Sequence, residues 1–174
     1  MNMDLSSLRT NTHLSGPRLC LRSATASDAD SLAQLLCEDR ILRQDLGIPD
    51  TDHPTGRDVF EKHHQWEEKN LALTFVMVDV TRRAIGTISL SHVHQTERVA
   101  RIGYWVGSAY RRQGYATEAF GLVLQWAREL GLRSVSANID NTNTPSLYLW
   151  RRFKAQEQEA RPGRIHCTVH FDCG

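Results

Sequence analysis

The six residues Arg111-Arg112-Gln113-Gly114-Tyr115-Ala116 stand between a strand-like run and a long helical one. A small-residue turn that opens a helix leaves backbone N–H groups without intrahelical partners. With the positive end of the helix dipole behind them, those donors form a seat for a phosphate group. The spacing Arg111-x-x-Gly114-x-Ala116 is neither of the two common nucleotide loops. The glycine pattern of a dinucleotide loop is absent, and no lysine follows to make a nucleoside-triphosphate loop. Taken alone, the stretch also reads as a helix capped by a polar turn with nothing bound.

Two histidine sets invite a metal reading and fail it. His166, Thr168, His170 and Asp172 alternate with Ile165, Cys167, Val169 and Phe171. Alternation puts Cys167 on the opposite face from the histidines, and His166 and His170 stand about 13 Å apart along a strand, too far for one ion. The run reads as a half-buried strand with a polar outer face. His63 and His64 are helix neighbours that point in different directions. No metal site is expected.

The elements that position these residues follow from periodicity. Residues 1–16 read as a flexible arm, and Arg18 to Arg22 alternates like a short strand. Ser27 with Asp30 marks a helix start, with Ala29, Leu32, Leu35 and Leu36 as the apolar stripe. Residues 46–56 are a loop rich in Gly, Pro and Asp. A polar helix follows from about Arg57 to Lys69. Leu71 to Val80 and Ala84 to Val93 form a hairpin around Thr81-Arg82-Arg83. Arg101 to Gly107 is a third strand. A helix over Gly114–Leu130 turns Ala116, Phe120, Val123, Ala127 and Leu130 to the core, and Gly131 stops it. Arg133 to Asn138 is a strand, Thr144-Pro145 starts a helix ending near Arg152, and strands near 154–159 and 164–171 follow. The chain is a mixed α/β (α+β) domain on a largely antiparallel sheet, with one parallel strand–helix–strand unit around 101–139.

Residues 18–153 resemble the RimJ/RimL-type branch of the GCN5-related N-acetyltransferase (GNAT) superfamily. The blocks that carry this are Ile102-Gly103-Tyr104-Trp105-Val106, Arg111-x-x-Gly114-Tyr115-Ala116-Thr117-Glu118-Ala119, Leu130-Gly131-Leu132, Ile85-Gly86-Thr87-Ile88 and Arg18-Leu19-Cys20-Leu21-Arg22. The resemblance implies a GNAT fold: a mostly antiparallel sheet of six to seven strands with a V-shaped splay and about four flanking helices. Residues 17–174 are then a single N-acetyltransferase domain. It implies acetyl-CoA as co-substrate and a primary amine as acceptor, attacking the thioester directly in a ternary complex. The branch suggests a protein N-terminal α-amine of the ribosomal-protein type. A small amine or antibiotic, or an acyl-CoA-binding module without catalysis, are the alternatives. The family occurs as monomers and homodimers.

The same resemblance places site residues. Backbone groups of Trp105, Val106 and Gly107 would pair with the pantetheine arm. Arg111, Arg112, Gln113, Gly114, Tyr115, Ala116 and Thr117 would hold the pyrophosphate, with Gly114 permitting close approach. Asn141, Thr144, Tyr148 and Phe153 keep the family's spacing. Asn141 would bond the pantetheine, and Tyr148 would sit near the sulfur as general acid for the leaving thiolate. Two positions depart from the pattern. Arg152 replaces the glycine before Phe153, and Arg101 stands where relatives often carry a glutamate base. Arginine cannot accept a proton at neutral pH. The base is then Glu97, His92, His94 or a water chain. Asp45, His53, His63, His64 and Trp66 share the region that often walls the acceptor pocket.

Bulk composition excludes rivals. An apolar fraction of 40% and a charged fraction of 24% are ordinary for a globular protein. The net charge of +1 gives no push toward nucleic acid or membrane. Cys20, Cys37, Cys167 and Cys173 form no C-x-x-C pair and read as reduced thiols. Met1 to Gly16 has no apolar core of signal-peptide length, so a cytoplasmic protein is expected.

Overall fold

The computed structural model describes residues 4–171. The helices are α1 (Leu5–Asn11), α2 (Ala26–Glu38), α3 (Arg40–Leu46), α4 (Gly56–Asn70), α5 (Tyr115–Glu129) and α6 (Thr144–Arg152). The strands are β1 (His13–Ser15), β2 (Leu19–Arg22), β3 (Leu73–Asp79), β4 (Ala84–His94), β5 (Val99–Val106), β6 (Ser134–Asp140), β7 (Gln156–Arg161) and β8 (Arg164–His170). They form one eight-stranded sheet in the order β1-β2-β3-β4-β5-β6-β8-β7. All pairings are antiparallel except β5 with β6. This corrects the expected six to seven strands and about four helices.

Alternation along the strands divides the core into two layers. Leu73, Phe75 and Met77 of β3 join Ile102 and Val106 of β5 beneath α5 and α6. Val76 and Val78 face the other way, with Leu32 and Ala33 of α2 and Val59 of α4. Phe120 of α5 stands edge-on to Trp150 of α6 at 4.9 Å and to Tyr104 of β5 at 6.2 Å. These T-shaped contacts fix both helices against the strand that carries the candidate site.

The end signals of α5 agree with its sequence. Gly131 takes φ +79, its N–H bonds the Arg128 carbonyl, and Leu132 N–H bonds the Ala127 carbonyl. Those two reversed bonds satisfy the last free carbonyls of the helix.

Several local expectations are corrected. The supposed arm contains α1 and β1. Leu5 and Leu8 pack on the core, and the Arg9 guanidinium meets Glu67 at 2.9 Å. Tertiary contacts override a polar, turn-rich composition there. Residues 40–46 are helical, capped by Asp39 and ended by Gly47 at φ +65. Helix α2 starts at Thr25, whose hydroxyl and Asp28 form a reciprocal capping box. Helix α6 is capped by Asn143 and not by Thr144. Cys173 and Asp172 lie outside the described residues.

Asp28 is 5% exposed and doubly bonded by the Arg22 guanidinium. Burial pushes its carboxyl up, but Arg22 and the Thr25 donors together hold it below the usual carboxylate range. A depressed carboxyl stabilises the fold above its unfolded pKa and loses that contribution as pH falls through the folded value. Asp28→Asn is expected to cost about 1–3 kcal/mol in urea unfolding at pH 7. The cost should shrink at pH 3. An equal cost at both pH values would remove the charge from the account.

Candidate active site

The β5–β6 pair holds together for three rungs only, Val99 with Ser134, Ala100 with Val135 and Arg101 with Ser136. Past Arg101 the two strands part, leaving a V-shaped gap beside residues 102–106. The hydrogen-bond pattern tells which groups line it. Gly107 N–H donates to the Ile85 carbonyl at 2.9 Å, so Gly107 and Trp105 turn their backbone groups to β4. In agreement, a Cβ on Gly86 would run into the Trp105 carbonyl. Alternation then points the backbone of Tyr104 and Val106 into the gap. Of the expected Trp105, Val106 and Gly107, then, Val106 turns its backbone to the gap, while Trp105 and Gly107 turn theirs to β4. The Val106 carbonyl accepts from Arg111 Nε at 3.1 Å.

Beyond β5, a single 3₁₀ turn (Ser108–Tyr110) leads into the loop before α5. Arg112 lies at φ +59 and Gly114 at φ +84, and Gly114 is the N-cap of α5 with no side-chain cap. Such alternation of left-handed residues turns successive N–H groups toward one side. The Arg111 N–H goes to Ser108 O, and the next N–H with a partner is that of Glu118, which bonds Gly114 O. Among the described residues, no acceptor receives the backbone N–H groups of Arg112, Gln113, Gly114, Tyr115, Ala116 and Thr117. Six adjacent free donors at the positive end of a fifteen-residue helix make a strong anion seat.

Side chains brace this loop from elements distant in sequence. Arg111 meets Asp45 of α3 at 2.6 Å, so its guanidinium serves as a tie more than as a free cation. Asp39 caps α3 through Leu42 N–H at 3.0 Å and accepts Ser108 N–H at 2.6 Å. Burial pushes the Asp39 carboxyl up, but those donors and nearby Arg111 hold it below the carboxylate range. Arg18 is the residue that sequence reading missed. Its Nε meets Glu118 at 3.0 Å, Nη1 donates to Gln113 O at 2.5 Å, and its guanidinium lies 5.1 Å over the Tyr115 ring. The Gln113 side chain donates back to Ala109 O at 2.9 Å. A groove of about 770 Å³ between α2 and α3 borders the same 3₁₀ turn, lined in part by Leu35, Asp39, Ser108 and Tyr110.

Tyr148 on α6 is 64% exposed, and the Arg151 guanidinium lies 5.7 Å over its ring. Among the described residues its hydroxyl has no hydrogen-bond partner. Tyr104 is the opposite kind of phenol. Burial pushes it up to about 12, and it pairs with Ser146 Oγ at 2.8 Å, tying β5 to α6. Asn141 follows β6 with its N–H on the Gly163 carbonyl at 3.0 Å. Glu97 is not brought to this group. It sits in the β4–β5 turn, four residues and roughly 13 Å of chain from Arg101, on the far side of the paired rungs from the gap. Arg101 itself is exposed at the last rung before the splay. Arg152 needs no strain: the left-handed residue after α6 is Lys154, at φ +58.

Residues 18–156 match the family described as acetyltransferase (GNAT) domain. An uncharacterised N-acetyltransferase, p20, of Bacillus licheniformis is 28% identical over 143 residues, 81% of this chain and 80% of that protein. A ribosomal-protein-S5-alanine acetyltransferase from Vibrio fischeri superposes with a TM-score of 0.73 at 18% identity, over 93% of this chain and 98% of that one. RimL, a ribosomal L7/L12 α-N-protein acetyltransferase solved with coenzyme A, gives 0.73 at 16% identity, over 92% and 99%.

Proposed function

We propose, from the premise that this chain belongs to the acetyltransferase (GNAT) domain family, that it acetylates the N-terminal α-amine of a protein. The donor half follows from membership: the chain is an N-acetyltransferase that moves an acetyl group from acetyl-CoA to an amine. The six free N–H groups of Arg112 to Thr117 are the observation that carries the site reading. They fit the pyrophosphate of coenzyme A, with Gly114 allowing close approach. The pantetheine arm then runs along the gap, bonding Tyr104 and Val106, with Asn141 on the opposite side. Tyr148 protonates the departing thiolate. Positioning and aimed backbone donors supply most of the rate. The protein acceptor rests on the two ribosomal-protein enzymes of the same fold. A cytoplasmic setting goes with this reading, since it keeps the free thiols Cys20, Cys37 and Cys167 reduced.

The test is to incubate the protein with acetyl-CoA and follow free thiol. One arm offers peptides with free N-termini, a second the same peptides N-terminally blocked, and a third a panel of small amines. Thiol release with the free peptides alone is expected. Release with small amines alone would replace the acceptor, and coenzyme A binding without any amine-dependent release would leave a binding module.

A further inference from the structure

Arg101, at the last rung before the splay, cannot accept a proton from the amine, and the sheet register brings another group near the gap. Ser136 is the rung partner of Arg101, so both side chains lie on one face of the sheet. Asn138, two residues on and beside the gap, shares that face, and its register partner on β8 is His166. The alternate residues Val135, Ala137 and Ile139 of β6, with Cys167 of β8, turn to the opposite face, under α5 and α6. The His166 ring meets Asn138 Oδ1 through Nδ1 at 2.7 Å. A carbonyl oxygen only accepts, so this contact selects, for the neutral ring, the tautomer with the proton on Nδ1 and the lone pair on Nε2.

We infer that His166 is the general base for the acceptor amine, and that Asn138 is the positioning residue that fixes its tautomer. The inference rests on the acetyltransferase reading above. Near neutral pH the acceptor arrives as an ammonium ion. Nε2 takes one of its protons, and the freed nitrogen pair forms the C–N bond to the thioester carbon. The C–S bond then breaks with its electrons on sulfur. The second surplus proton of the nitrogen ends on the thiolate, and the imidazolium returns its own to solvent. The ionisable groups sharing the face are Arg101 of β5, Asp140 of β6, Arg164 and His170 of β8 and Arg161 of β7, the register partner of Arg164, while the neutral Gln158 of β7 pairs with His166. Arg164 reaches toward the Asn138 carbonyl at 3.5 Å. Asp140 is engaged by the Thr142 N–H and hydroxyl, and His170 stands opposite Ser134 at the paired end of the strands, so His166 is the proton acceptor beside Asn138 and the gap.

The experiment is a pH profile of kcat, with KM for acetyl-CoA, for the wild type, His166→Gln and Asn138→Leu. His166→Gln is expected to lower kcat about tenfold near pH 7. The gap should close at alkaline pH, where the amine is already free, and KM for acetyl-CoA should not move. Asn138→Leu keeps the imidazole and removes its partner, so a smaller loss of the same pH form is expected. Circular dichroism confirms that both variants fold. Profiles for both variants parallel to that of an active wild type overturn the role of His166 alone. A wild type that binds acetyl-CoA and acetylates nothing overturns this role together with the function it rests on.

Discussion

Replacing Gly114 with valine lowers the affinity for acetyl-CoA by about 100-fold, or about 2.7 kcal/mol. Two effects combine. Gly114 lies at φ +84, where a β-branched residue is strained by roughly 1–3 kcal/mol. A Cβ there would also stand 2.8 Å from Arg18 Nη2, so the guanidinium that braces the Gln113 carbonyl must move. The new side chain thus dislodges a brace of the loop that carries the free N–H groups. Strain alone can be separated from loss of the seat. Gly131 lies at φ +79 at the far end of α5, with open space around a Cβ. Gly131→Val should cost similar stability in thermal unfolding and leave acetyl-CoA affinity intact. Calorimetric titration of both variants checks this, and equal affinities would sink the loop assignment.

Tyr148→Phe is expected to lower kcat by about 100-fold with KM for acetyl-CoA unchanged. The substitution keeps the ring and the Arg151 cation over it and removes only the hydroxyl. Tyr104 cannot stand in, because burial pushes its phenol up to about 12. Glu97→Gln is the contrasting case. Its carboxylate lies beyond the paired rungs from the gap, so its loss should not change kcat. Steady-state rates for the two variants decide the matter. Full activity in Tyr148→Phe removes the phenol from the mechanism, and a large loss in Glu97→Gln returns the base to the β4–β5 turn.

The parts of the fold legible in the sequence are those whose signals are local. The α5 stripe, Gly131, the Thr81–Arg83 turn and the change of period at residue 71 all act within a few positions of one another. The parts that escaped depend on distant partners. Helix α1 is held by Leu5, Leu8 and the Arg9–Glu67 contact, none of which its polar sequence reveals. Helix α3 did leave a trace, an Asp39 cap and a terminating Gly47, but its seven residues are too few to show a period. At α6 both Asn143 and Thr144 are good caps by residue type, and the structure uses Asn143.

The site divides the same way. The free donors of the loop follow from Gly114 and the helix behind it, so the seat was readable. Which backbone groups face the gap depends on the rung made by Gly107 and Ile85, hence the shift from Trp105 to Tyr104. Arg18 and Asp45 reach the loop from other elements. Alternation alone put His166 on a polar face, and only the β6–β8 register shows Asn138 as its partner.

The central claim is that coenzyme A sits on the free backbone donors of Arg112 to Thr117 and along β5 at Tyr104 and Val106. Amide resonances of ¹⁵N-labelled protein titrated with coenzyme A test it most directly. The account predicts that those eight amides move furthest, those of the loop downfield as they gain phosphate acceptors. Saturable binding that leaves them in place and shifts amides elsewhere would contradict it.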